Sequence, residues 1–407
     1  TPWLNPNRMK RTFTLIICLL SLQIVKAEIS LTSPAIAVER QTTALDTVIL
    51  PVINQPAPLT SESNVFKRRL DSIKKDVPLD YNEYVQGYID IYSHNRGEMG
   101  HVLGLSKYYF PIYEKAFRDA GIPDEIKYLS IVESKLDPFA VSRVGATGPW
   151  QFMFNTARLY GLNMDDYVDD RRDPIQASYA AAAYLKDAYQ EFGDWLLAIA
   201  SYNCGESNVQ RAIEKAGAND FWSIRPYLPV ETRGYVPAFI AVTYVMNYYG
   251  KHNILPQSCD FSVKTDTVLV NKYVSLSSIA QVLDVELKEL SILNPSYKRQ
   301  IINGTADAPR RLVIPEIDKG KYAALYDALN NSNLVAYSPH AAIAPYHESK
   351  AEKRPYHNYI IYKVKRGDTL SGIAAKFDGA SVEKIRLLNG LKKGSLQPGM
   401  TIKISKG

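Results

Sequence analysis

Over residues 65–250 the apolar residues recur with a helical period, and no run of alternating apolar and polar residues interrupts them. A stretch of that length without strands must bury its apolar faces helix against helix, so an all-α domain is expected there. Pro174 directly after Asp173 marks a helix start. The run Ala180, Ala181, Ala182 and Ala183 marks a segment that packs closely against a neighbour.

Beyond residue 251 the text changes to short β-branched runs, and one pattern occurs twice. Leu370, Ile373, Ala374 and Phe377 fall at i, i+3, i+4 and i+7, followed by Val382, Ile385, Leu388 and Asn389. About 94 residues earlier, Leu276, Ile279, Ala280 and Leu283 repeat it, with Leu287, Leu290, Leu293 and Asn294 behind them. Candidate strands at 359–364 and 401–404 bracket the later copy, and 268–270 and 311–314 bracket the earlier one. Each copy is therefore expected to be a strand–helix–helix–strand unit of about 45 residues.

The 407 residues call for several such units, and 46% hydrophobic with 22% charged residues is a globular composition. A net charge of +6 without a Lys/Arg block gives no nucleic-acid face, whereas a mildly basic chain suits an anionic polymer. Met9-Lys10-Arg11, an apolar run over 13–25 and Ala27 have the layout of a secretory signal, so export across the inner membrane to the periplasm is expected. Ile17 before Cys18 argues against a lipid anchor there, and Cys204 and Cys259 suffice for one disulfide. The expected organisation is 1–8 as non-native or upstream residues, 9–27 signal and 28–60 disordered tether. A helical extension over 61–106 and a helical domain over 107–250 follow, then one unit at 265–315, a linker at 316–356 that holds one short helical piece, and a second unit at 357–407. The 28 tyrosines, against 12 phenylalanines, suit either sugar stacking or a core.

One carboxylate stands out. A helix opened by Pro123, Asp124 and Glu125 buries Ile126, Leu129, Val132 and Leu136, and Glu133 lies i+7 from Ile126 and i+4 from Leu129, on the apolar side. Burial disfavours the charged form, so a pKa near neutrality is expected, as a general acid requires. The plainer alternative pairs Glu133 with Lys135 or Arg143. Asp165, Asp166, Asp169 and Asp170 precede Arg171-Arg172 in an arrangement suited to salt bridges, and the residues alone leave them open as a second acid. Six histidines without ligand spacing and no phosphate-cradling glycine loop imply no metal and no cofactor.

The "ES" at 133–134, "GATGPWQF" at 145–152, "AIASYNCG" at 198–205 and "LPVETRGYVP" at 228–237 together resemble the family 1 lytic transglycosylases, over about residues 107–250. "VKRGDTLSGIAAKF" at 364–377 resembles a LysM domain, a peptidoglycan- and chitin-binding module. The resemblance implies a multidomain chain: an all-α lysozyme-like catalytic domain followed by small βααβ LysM-type modules. It implies that Glu133 is the catalytic acid and base, with Ser142, Gln151, Tyr202, Asn203 and Tyr235 binding substrate. Gly367, Asp368, Thr369, Leu370 and Asn389 are the implied glycan-binding residues of the later unit. The earlier unit has Tyr273, Val274 and Ser275 where Gly367, Asp368 and Thr369 stand, so it is expected to be a degenerate copy. The implied partner is the peptidoglycan glycan strand, with no nucleic acid, a monomeric chain, and association with the envelope compatible with the same reading.

The implied reaction cleaves the MurNAc-β-1,4-GlcNAc bond and closes a 1,6-anhydro ring, which explains a lone carboxylate because the substrate's own C6 hydroxyl is the nucleophile. A muramidase using water and a catalytically dead wall-binding protein are the rivals. Trp150 and Phe152 fit a core better than a sugar platform, Asn203 before Gly205 also reads as a helix end, and Glu231 as a helix start.

Overall fold

The computed structural model describes residue 51, residues 63–330, and residues 359–405 apart from 375, 378–379, 381 and 392–395. The expected signal, almost all of the tether and most of the expected linker lie outside the described residues.

The first part is helical, as expected. It runs through α1 (Ser63–Ile73), α2 (Glu83–His94), α3 (Arg96–Ala120), α4 (Leu129–Ser134), α5 (Phe154–Leu159), α6 (Pro174–Phe192), α7 (Trp195–Cys204), α8 (Glu206–Ala216), α9 (Phe221–Ile224) and α10 (Val230–Tyr248). Its ends follow local chemistry. Asn82 caps α2 by accepting the amides of Tyr84 and Val85, and Asp173 caps α6 by accepting those of Ile175 and Gln176. Gly121 and Gly193, both at positive φ, end α3 and α6.

The axis of the domain is α10, buried without a break from Gly234 to Met246. A helix apolar on all sides belongs in the middle of a domain, and α2, α4 and α7 pack around it. Gly234 makes the α2 contact, since a side chain there would overlap the Tyr88 hydroxyl. Val85, Tyr88 and Ile89 of the 61–106 segment thus share one core with Trp150, Ile199 and Phe239. In α6, Ala180, Ala181 and Ala182 are buried where it meets α3, the close packing that small residues permit. Part of the tyrosine excess is core: Tyr88, Tyr109, Tyr113 and Tyr244 are among the largest fully buried side chains, while Tyr189, Tyr227, Tyr249, Tyr273 and Tyr326 are exposed.

The next unit contains β1 (Thr265–Val270), β2 (Tyr273–Ser275), α11 (Leu276–Leu283), α12 (Leu287–Leu293), β3 (Ile301–Asn303), β4 (Arg310–Pro315) and α13 (Lys319–Asn330). β1 pairs antiparallel with β4, Thr265 opposite Pro315 and Val270 opposite Arg310. It departs from the expected βααβ in two ways. Tyr273–Ser275 is a strand paired with Ile301–Asn303, because without the Gly-Asp pair the chain stays extended there. Residues 319–330 form the short helical piece expected within 316–356, but it belongs to this unit rather than to a linker: Leu325 is buried in the unit's core and Lys321 donates to the Leu283 carbonyl. The last unit keeps the simple order, β5 (Tyr359–Lys363), α14 (Leu370–Ala374), α15 (Val382–Asn389) and β6 (Thr401–Ser405), with β5 antiparallel to β6. Cys204 and Cys259 are both free thiols, so the one disulfide that they could make is not formed.

Candidate active site

The helix carrying Glu133 does not open as an α-helix. Residues Asp124–Tyr128 form a 3₁₀ turn, and α4 proper is six residues long. The expected stripe is nevertheless buried: Ile126, Leu129, Val132 and Leu136 are each 2% exposed or less. After Ser134 the chain enters the left-handed region at two successive non-glycine residues, Lys135 (φ 57°) and Leu136 (φ 68°). Each costs roughly 1–2 kcal/mol of backbone strain. That reversal lets the helix stop one residue beyond Glu133.

Glu133 is half-buried, and burial is the main influence on it, pushing its carboxyl up to about 7; the Tyr235 hydroxyl, donating to Oε1, pulls in the opposite direction. Lys135, the plain-alternative partner, pairs with Glu98 instead. Glu133 thus takes part in no salt bridge among the described residues. Tyr235 comes from the first half of α10, and burial beside Glu133 raises its phenol well above the usual tyrosine range.

The opposite wall is the end of α7. The Tyr202 hydroxyl donates to the Trp150 carbonyl at 2.8 Å, and its ring meets Phe152 and Tyr184 edge-on. Asn203 accepts the Thr232 hydroxyl at 2.8 Å, tying α7 to the turn of α10 that precedes Tyr235. Gly205 ends α7, so the helix-end reading of Asn203 also holds.

Residues 140–152 form the third wall. Pro149 presents its carbonyl to the hydroxyls of Ser130 (2.8 Å) and Ser134 (2.9 Å), clamping the loop onto α4. Trp150 is core, as expected: fully buried, near Tyr113 and Phe117, its Nε1 donating to Ser178 at 2.9 Å. Phe152 is buried too. Ser142 and Gln151, placed against substrate by the sequence reading, make their hydrogen bonds inside this loop. Ser142 Oγ accepts the Ala146 amide, and Gln151 Nε2 donates to the carbonyls of Ala140 (3.2 Å) and Gly148 (2.8 Å) from a left-handed backbone at φ 48°.

The aspartate cluster is structural in its contacts. Asp169 pairs with Arg171, Asp165 accepts the amides of Tyr167 and Val168, and Asp170, pushed up to about 6 by burial, accepts the Asn163 amide.

In the last unit Gly367 sits at φ 91°, and Asp368 accepts the Lys365 amide, the Lys376 ammonium and the Tyr362 hydroxyl, which hold its carboxyl down at about 2. Thr369 caps α14 by accepting the Gly372 amide, and Leu370 packs on the small core. Asn389, which the resemblance assigned to glycan, makes its hydrogen bonds within the unit. Its Nδ2 donates to the carbonyls of Ile385 and Lys403, and its Oδ1 accepts the Lys403 amide, so the whole amide brackets α15 to β6. Asn294 makes the same three bonds to Leu290 and Val313 in the earlier unit. The matching position of the two asparagines in the repeat was the signal for a structural role.

Sequence reasoning missed Ser130, Ser134 and Thr232, whose partners lie far off in the chain, and Arg171, which carries no motif of its own.

Known families match three parts of the chain: the transglycosylase SLT domain over residues 110–224, the LysM-like domain of lytic transglycosylase MltD over 264–331, and the LysM domain over 362–405. Membrane-bound lytic murein transglycosylase D of Escherichia coli K12 is 28% identical over 343 residues, covering 83% of this chain and 72% of that protein. An N-acetylmuramoyl-L-alanine amidase, sle1 of Staphylococcus saprophyticus, is 54% identical over 44 residues, 11% of this chain and 13% of its own. The structure of an inactive mutant of lytic transglycosylase Slt from Pseudomonas aeruginosa aligns at TM-score 0.30 and 23% identity, with 36% of this chain and 24% of that one covered. This chain therefore spans about a quarter of that solved structure. The chain thus carries a transglycosylase SLT domain followed by a LysM-like domain of the lytic transglycosylase MltD type and a LysM domain.

Proposed function

We propose that this chain cleaves the β-1,4 bond between MurNAc and GlcNAc in peptidoglycan and leaves 1,6-anhydromuramoyl ends, with Glu133 as acid and then base. The observation that carries this reading is a half-buried carboxyl pushed up to about 7, held by one tyrosine hydroxyl and, among the described residues, in no salt bridge. In that state it is substantially protonated near neutral pH and ready to donate. Glu133 gives its proton to the glycosidic oxygen as the C1–O bond breaks. Its carboxylate then takes the proton of the muramoyl C6 hydroxyl as that oxygen bonds to C1, returning the enzyme to its starting state. The Tyr235 hydroxyl stabilises the carboxylate between the two steps, when its charge is exposed to the oxocarbenium-like sugar. Asp165, Asp169 and Asp170 are committed to loop amides and to Arg171, and Asp166 is exposed, which favours a single-carboxylate mechanism over two-carboxylate hydrolysis.

The same reading places the protein in the cell envelope, held on its polymer by the LysM domain. Among the described residues no helix is long and apolar enough to cross a membrane. Digestion of purified sacculi with mass analysis of the soluble products tests the reaction. Anhydro ends are expected, together with a loss of at least about 100-fold in Glu133→Gln, whose amide cannot donate and recover a proton. Free reducing ends would make the protein a muramidase, and full activity in Glu133→Gln would move the acid elsewhere.

A further inference from the structure

The helical domain's segment 165–169 docks on the earlier LysM-like unit, chiefly on residues 296–299 beside the strand Tyr273–Ser275, which stands where the later unit carries Gly367, Asp368 and Thr369. Tyr167 stands edge-on to Tyr273, with ring centroids 5.6 Å apart at 88°, and the Arg299 guanidinium lies 5.3 Å from the Tyr167 centroid. Lys298 donates its amide to the Tyr167 carbonyl (2.8 Å) and its ammonium to the Asp165 carbonyl (2.7 Å), while the Asp169 amide donates to the Ser296 carbonyl (2.9 Å). Val168 is 2% exposed inside this unit's apolar core, Leu293 reciprocates in the core of the helical domain, and Arg311 pairs with Asp173.

The far side of the same segment carries Arg171. Its guanidinium is held by both carboxylate oxygens of Asp169, and Nη1 donates to the carbonyls of Gly145 (3.1 Å) and Phe152 (3.3 Å), the two ends of the cleft loop. The Arg171 carbonyl presses on Gly148, where any side chain would overlap it. That loop is in turn clamped to the helix of Glu133 through Pro149 and to Tyr202 through Trp150.

We propose that the LysM-like unit is an internal brace for the active site, and that Arg171 is the positioning residue through which it sets the loop facing Glu133. The unit turns its residues 296–299 inward onto segment 165–169, and the cleft gains a wall fixed from behind. This rests on Glu133 being the reacting acid.

The test measures kcat, KM and their pH profiles on soluble glycan strands, with the full chain and three variants: Arg171→Met, Arg171→Lys, and the double variant Tyr167→Ala with Arg311→Met. Arg171→Met should lower kcat about tenfold with little change in KM, because a loosened wall misplaces the reacting groups. It should also move the pKa of Glu133 in the kcat profile down by about half a unit or more, as water reaches the carboxyl. Arg171→Lys keeps the ion pair with Asp169 and should recover part of both effects, and the double variant should shift the profile the same way. Unmoved pKa values, with activity lost only in proportion to folded protein in thermal melts, would overturn the brace, as would variants identical to the parent. Glu133→Gln, run alongside, tests the acid separately. If it keeps turnover, the acid assignment fails and the brace is read from amide exchange over residues 145–152. That exchange must quicken in Arg171→Met and in the double variant, and unchanged exchange overturns the proposal.

Discussion

At the scale of single residues, Glu133 puts function and stability in opposition. Its folded pKa, about 7, lies above the ordinary value of 4.5 because burial penalises the charge. A raised carboxyl pKa means that the native state holds the proton longer than the unfolded chain does. The group therefore costs nothing below the unfolded value, costs progressively more between about pH 4.5 and 7, and reaches its full cost above that. Glu133→Gln should raise the thermal midpoint at pH 8, by the equivalent of about 2 kcal/mol after allowance for its partial exposure, and change it little at pH 4. A lower midpoint at pH 8 would show the carboxylate to be well solvated. Tyr235→Phe removes the one bond that lowers this pKa. The rate profile should then move to higher pH, with turnover down about tenfold because the second step needs the carboxylate; an unmoved profile would contradict that role. Glu133 and its phase were legible because helical period and side-chain chemistry are local. The actual bonds of Ser142 and Gln151 were not, because they depend on how one loop folds onto itself.

At the scale of elements, the periodicity gave the helical character of 65–250 and the phase of the Glu133 helix but missed local departures. The turn Asp124–Tyr128 before α4 is 3₁₀ rather than α-helical, which the apolar spacing does not register. Strand β2 was invisible because three residues carry no period, and its stability comes from Ile301–Asn303 nearly thirty residues away. Glycine patterns were legible as turns but not as contacts. Gly145 and Gly148 both have positive φ, 88° and 85°, yet a side chain at Gly145 meets open space while one at Gly148 overlaps the Arg171 carbonyl. Alanine at either position incurs the left-handed backbone cost of roughly 1 kcal/mol. At Gly148 the backbone must also yield, so Gly148→Ala should destabilise by about 2–4 kcal/mol in total, and Gly145→Ala by about 1. Chemical denaturation midpoints of the two variants measure the difference. Equal losses would mean that segment 169–172 moves aside freely and could not brace the loop.

At the scale of the whole molecule, two units of common pattern have parted in use. Both keep the asparagine bracket, Asn294 and Asn389, and both cap the first helix with a hydroxyl, from Ser275 and from Thr369. They differ in two places: a Gly-Asp turn in the later unit stands against a strand paired with Ile301–Asn303 in the earlier one, and the earlier unit adds α13 to its core. The later unit meets the helical domain through Lys403, whose ammonium pairs with Glu206 at 2.9 Å and also attracts the nearby Asp187 and Glu191 carboxylates. An ionic contact of this kind can exchange for contacts with polymer, more readily as salt screens it. A chain ending at residue 330 should therefore keep its turnover on soluble glycan strands within about twofold. Its retention on insoluble sacculi should fall at least about tenfold, because the second attachment that raised its effective concentration is gone. Co-sedimentation of the full and shortened chains with sacculi, beside a soluble-strand assay, measures both. Retention that survives the truncation would show that the earlier unit still holds glycan. Turnover lost together with retention would show that the last unit takes part in the reaction rather than in holding the enzyme to its substrate.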